Sequence, residues 1–191
     1  MIFRKTIITS AALLALAACG RNNDASQTNT VTTTVEADGV NVTGTPSTTV
    51  SDAQNFANVA AASDAFEIET SKLALTNGAS AAVKAYANKM VEAHTASTAK
   101  LQRAAAGAAP TITPVPALNA EQQAKLDQLK TLNGTAFDQA YKTEQAAGHQ
   151  KTLDALKAYA ANGNAPQLKA FAEEMIPIVT AHLNMAKVMK A

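Results

Sequence analysis

From Ser51 onward, apolar residues recur every three or four positions, the spacing of a helix with one buried face. Before Ser51 no such period exists. The first stripe is Phe56, Val59, Ala60, Ser63, Glu67, Thr70 and Ala74, with Phe66 and Leu73 beside it. Ser51 or Asp52 caps it, and Asn77-Gly78 stops it, since both residues tolerate a left-handed helix end. Ser80 then caps a second helix carrying Val83, Ala87, Met90, His94, Ser97 and Leu101. So short a link predicts antiparallel neighbours.

Pro110, Pro114 and Pro116 end that helix and leave a stiff, extended connection. Asn119 caps a short helix with Leu126, Leu129 and Leu132, and Asn133-Gly134 breaks it. Thr135 and Asp138 resemble a capping box at the start of a third long helix, Phe137, Tyr141, Gln145, His149, Leu153, Leu156 and Ala160. Asn162-Gly163-Asn164 closes it, and Pro166 suits the first turn of the next. That last helix is the most regular: Leu168, Phe171, Ala172, Met175, Val179, His182, Leu183 and Ala186. Pro177 lies inside it and removes the hydrogen bond to the Glu173 carbonyl, which predicts a kink. Two helical hairpins joined by a long crossover with its own short helix predict an all-α, ferritin-like four-helix bundle over 51–191.

Composition agrees. Hydrophobic residues make up 47%, alanine supplies much of this, and Trp is absent, which favours closely packed helices over a sheet. The N-terminus reads differently. Arg4 and Lys5, an apolar run and Leu16-Ala17-Ala18-Cys19 have the form of a lipoprotein signal peptide over 1–18, with Cys19 as the lipid attachment point. Lipid on Cys19 would make the membrane a partner. By resemblance to other Gram-negative lipoproteins, Gly20 in place of Asp implies the outer membrane, facing the periplasm. Residues 19–50 then form a flexible linker. From Ser26 to Ser51, 12 of 26 residues are Ser or Thr, too polar to offset the entropy of ordering.

Without the signal, 14 basic residues face 15 acidic ones, a balance that gives no footprint for nucleic acid. Cys19 is the only cysteine, so disulfides and thiolate sites in the helical part are excluded. No nucleophile elbow, P-loop, dinucleotide fingerprint or zinc-protease motif occurs, and a non-enzymatic protein is expected.

The chemistry that remains is on the inward stripes. His94, His149 and His182 are all the histidines in the chain, and each lies on the stripe of a different long helix; Glu67 lies on the stripe of the remaining one, the first. Buried imidazoles and carboxylates need partners, and the simplest partners are one another. One reading is a transition-metal site for zinc, iron, copper or nickel. The other is a buried hydrogen-bond network supported by Asp138, Tyr141 or Glu144. A di-iron carboxylate site needs Glu three residues before the ligating His; Val91 and Val179 stand there instead.

The run Phe66-Glu67-Ile68-Glu69-Thr70, the Met90-Val91-Glu92-Ala93-His94 segment, Gly134-Thr135-Ala136-Phe137-Asp138 with Tyr141 and His149, and Phe171-Ala172, Pro177 and His182-Leu183 together resemble the DUF4142 family over about 53–189. The resemblance implies a ferritin-like bundle in an exported, frequently lipid-anchored envelope protein. It maps recurring family positions onto Glu67, His94, Phe137, Asp138, Tyr141, His149, Pro177 and His182. Where the family usually has Asp before the second-helix histidine, this chain has Ala93, preceded by Glu92. Two functions follow as expectations: a structural, interaction or stress-related envelope protein, or a periplasmic metal-binding protein using Glu67 and the three histidines.

Overall fold

Three of the predicted helices open on a side-chain cap. In the computed structural model, which describes residues 50–191, Ser51 accepts from the Gln54 amide and begins α1 (Asp52–Asn77). Ser80 accepts from the Ala82 amide and begins α2 (Ala81–Ala106). Asn119 and Gln122 form a reciprocal capping box on α3 (Ala120–Lys130), which satisfies two donors that a helix start would otherwise orphan. Then come α4 (Gly134–Asn162) and α5 (Pro166–Val188), the latter with Pro166 in its first turn. The described residues contain these five helices and no strand. None of the helices is long and apolar enough to cross a membrane. The expected signal peptide, Cys19 and the linker up to residue 49 lie outside the described residues.

Three local expectations change. The chain leaves α1 in extended backbone at Gly78 (φ −71°), not in the left-handed form. Glycine is needed there for closeness: a Cβ would lie 2.6 Å from the Ala74 carbonyl and 2.9 Å from Asp138 Oδ1. The left-handed residue is Gly134 (φ 63°), at the turn into α4. The Thr135–Asp138 capping box does not form. Helix α4 is capped at Asn133, two residues before Thr135, and Asp138 turns to the link between α1 and α2. Val59, placed on the first stripe, is 49% exposed. Pro177 is tolerated within α5 because it faces solvent, where water can reach the freed Glu173 carbonyl.

Helix α2 folds back along α1, and α5 along α4; α1 also packs on α4, and α2 on α5. Buried alanines (Ala57, Ala74, Ala87, Ala105, Ala172 and Ala186) let the backbones approach closely. The crossover from Gly107 is fastened to α1. The Gln54 side chain donates to the Thr113 carbonyl, and Asn58 accepts from the Val115 amide. Helix α3 lies against α1 and α4.

The buried interior has three layers. One apolar cluster joins Phe56 and Ala57 of α1 to Leu101 of α2, Leu156 and Tyr159 of α4, and Leu168 and Phe171 of α5. The Phe56 and Tyr159 rings stack there at 3.9 Å. A second cluster, at the opposite ends of the same helices, joins Ala74, Val83, Met90, Phe137, Tyr141 and Ala186. Between them lies a belt of buried polar residues contributed by all four long helices.

Candidate functional site

Helical periodicity builds the belt. On α1, Asp64, Glu67 and Thr70 are three residues apart and share one face. On α2 the inward residues are His94 and Ser97; on α4, Gln145 and His149 are four apart; α5 gives His182. Glu67, His94, His149 and His182 all expose 8% or less. The imidazoles form a nearly equilateral triangle, with ring centroids 5.5, 5.6 and 5.5 Å apart. One ring nitrogen from each lies within 4.8 Å of the other two, so the group could hold a metal ion. Nitrogens tetrahedrally bound to zinc at 2.0–2.1 Å stand about 3.3 Å apart, inside that limit.

Hydrogen bonds engage the Nδ1 atoms of two of the rings. His94 Nδ1 donates to Asp64 Oδ1 at 2.8 Å, and Thr98 donates to the other Asp64 oxygen at 3.2 Å. His149 Nδ1 lies 2.8 Å from the Gln145 carbonyl, which can only accept, so this nitrogen carries the proton. In the neutral form of each of these two rings the lone pair is thereby placed on Nε2. His94 Nε2, His149 Nε2 and His182 Nδ1 are buried and have no hydrogen-bond partner among the described residues. A carboxylate or carbonyl behind a histidine, with the opposite nitrogen free, is the outer-shell arrangement of metal-ligating imidazoles.

Glu67 stands beside the triangle. Its Oε1 is 3.6 Å from His149 Nδ1, too long for a hydrogen bond, and its Oε2 has no partner among the described residues. Burial raises its pKa to about 7, against the opposing pull of a charged His94 and the Gln145 amide. Burial also acts on His94, but there the hydrogen bond to Asp64 and the charges of Glu67 and Asp64 outweigh it, and its pKa is raised. His149 and His182 go the other way, each to about 4, through burial and then the neighbouring imidazoles. At neutral pH the triangle thus offers two neutral imidazoles and one that holds its proton more tightly.

The structure brings the three histidines together and leaves the expected supporting residues elsewhere. Asp138 accepts from the Ala79 and Ser80 amides, joining α4 to the α1–α2 link. Tyr141 is buried in the second apolar cluster, with its hydroxyl 2.7 Å from Ser71 Oγ. Burial and the charge of Glu67 hold its phenol well above the ordinary value, so it stays neutral. Glu144 pairs with Lys125 at 2.6 Å, fastening α3 to α4. Glu67 is adjacent to the triangle but is not one of the three residues whose donor atoms converge.

Two site residues were not anticipated. Asp64 orients His94, and the Gln145 carbonyl orients His149. The signal for Asp64 was available, since it lies one helical turn before Glu67 on the same face. Asp64 also answers what Ala93 left open, because the carboxylate on His94 comes across from α1.

The chain matches the family described as Domain of unknown function (DUF4142) over residues 40–189. Comparison with curated proteins gives no match, and neither does comparison with solved structures. A match over most of the chain, running through all five helices and the polar belt, establishes that the chain belongs to the DUF4142 family.

Proposed function

We propose that this chain is a transition-metal-binding module of the bacterial cell envelope. In this reading residues 51–191 form a ferritin-like four-helix bundle, held on a linker from lipidated Cys19 in the outer membrane and facing the periplasm. The observation that carries the metal reading is the convergence of three buried, unpartnered imidazole nitrogens, two of them with a hydrogen-bonded group behind the ring. His94 Nε2, His149 Nε2 and His182 Nδ1 would hold the ion. Neutral nitrogen donors suit zinc, copper, nickel or iron, and the absence of thiolates in the belt disfavours soft-metal clusters. The two apolar clusters on either side would limit solvent access and raise the cost of leaving those nitrogens unfilled. Storage, sensing or buffering of a metal fits such an enclosed site.

The competing reading is that the belt only sets the register of the helices, as buried polar groups do in other helical assemblies. It draws on the His94–Asp64 pair, which is satisfied without any ion. Metal analysis of the natively purified chain, followed by titration with zinc, copper, nickel and iron, separates the two. Stoichiometric metal that is lost in both His94→Ala and His182→Ala is expected. A wild-type chain that stays metal-free and shows no thermal shift with any of the four would overturn the metal reading.

A further inference from the structure

Helix α4 contains a residue that its own propensity disfavours. Gly148 sits in mid-helix, next to His149, where glycine is less favourable than alanine. Its backbone is not in the left-handed region, so conformation does not require glycine there. Space does. A Cβ at this position would lie 3.0 Å from Glu67 Oε1. The missing side chain leaves room for the Glu67 carboxyl group and opens onto a cleft of about 280 Å³ between α1, α3 and α4.

Glu67 and Gly148 line the inner part of this cleft, with Ala62 and Phe66 of α1 beside them. Charged groups edge its mouth: Lys125 of α3 bonds Glu144 of α4, and Glu121 of α3 bonds Lys151 of α4. On the other side of the triangle, a cavity lined by Asp64, His94, Phe171 and Val179 is only about 10 Å³, room for at most a single water. Of these two spaces, only the cleft beneath α3 is large and polar enough to admit a partly hydrated cation.

We infer that the cleft between α1, α3 and α4 is the port through which a metal ion reaches the three histidines, with Glu67 as the carboxylate that receives it and Gly148 as the gap that keeps the path open. This rests on the three-histidine metal reading above. A hard, buried carboxylate oxygen can exchange for the waters of an incoming divalent ion before the imidazoles take it. Glu67 is suited to this position because it borders His149 on one side and the cleft on the other.

The port has a kinetic signature. A residue that narrows a path, without being a ligand, slows uptake and release by the same factor and leaves affinity unchanged. The test uses the full-length chain and cobalt(II), whose visible absorption reports nitrogen coordination; uptake is followed after rapid mixing and release after adding excess chelator. Gly148→Ala is expected to slow both rates severalfold. Gly148→Leu should slow them roughly tenfold or more, the scale of forcing a close-packed side chain aside. Affinity by chelator competition stays at the wild-type value in both. Should Gly148→Leu lose its helical signal in circular dichroism, the Gly148→Ala variant decides alone. Wild-type rates in a folded variant would overturn the port and leave the metal site standing. Lower affinity with unchanged uptake would also overturn it, since that marks a displaced ligand. A wild-type chain that takes up none of cobalt(II), zinc, copper, nickel and iron would overturn both readings.

Discussion

The apolar end around Phe56 and Tyr159 and the polar belt around the histidines use the same four helices, yet they are built on opposite terms. At the apolar end, Phe56, Tyr159, Leu168 and Phe171 fill the space among small alanines, and burial stabilises directly. In the belt, five buried side-chain atoms lack hydrogen-bond partners among the described residues, and burial costs. The difference teaches where the fold is secured. Two apolar clusters carry stability and thereby hold in place a middle layer that would not assemble by itself. A strained or unsatisfied layer kept by its surroundings is the usual mark of a functional site.

The strongest way to break the comparison is in an apolar cluster. Phe137 is fully buried against Tyr141, with ring centroids 5.8 Å apart. Phe137→Ala should lower unfolding stability by about 3–5 kcal/mol in chemical denaturation, through lost transfer energy and the cavity left behind. A loss near zero would mean that this cluster does not support the belt.

A second prediction concerns pH. Glu67 has a folded pKa of about 7 against an ordinary 4.5. Its protonated form is favoured in the fold, so its contribution is full below 4.5 and is lost as pH rises through 7. His94, with a raised pKa, acts in the same sense above 6.5. His149 and His182, depressed from 6.5 to about 4, act oppositely: their contribution is present above 6.5 and lost as pH falls towards 4. Glu67 therefore offsets part of the acid destabilisation of these two histidines. Glu67→Gln should stabilise the metal-free chain above pH 7 by up to about 3 kcal/mol and steepen its loss of stability between pH 7 and 4.5. Denaturant melts of both chains across that range check this, and parallel pH profiles would show that Glu67 is not titrating in the window.

The smallest expected effect sharpens the belt itself. Asp64→Asn removes the carboxylate behind His94 while keeping the side-chain size. Metal affinity should fall by about 10–100-fold, the range for such outer-shell partners, with the helical content unchanged. Isothermal titration with zinc reads it, and an unaltered affinity would remove Asp64 from the site.

Much of the site was legible in the sequence because a helix has a fixed angular period. That period placed Glu67, His94, His149 and His182 on inward faces, and all four are buried. It could not show that Asp138, inward-facing on α4, would leave the belt, because its partners are the Ala79 and Ser80 amides of a distant turn. Nor could it find the Gln145 carbonyl as a partner of His149, since a backbone group has no signature in residue type.

What the sequence alone determined is therefore angular and local: the helices, the caps at Ser51, Ser80 and Asn119, and most of the residues that turn inward. The tertiary structure decided the level. Links of three residues (Gly78–Ser80 and Gly163–Ala165) bring each hairpin's two inward faces to nearly fixed heights. The long crossover between the hairpins imposes no such limit. At a rise of about 1.5 Å per residue, a slip of three or four residues would separate the imidazoles by a full turn. Packing of the two apolar clusters removes that freedom, and with it closes the triangle of His94, His149 and His182.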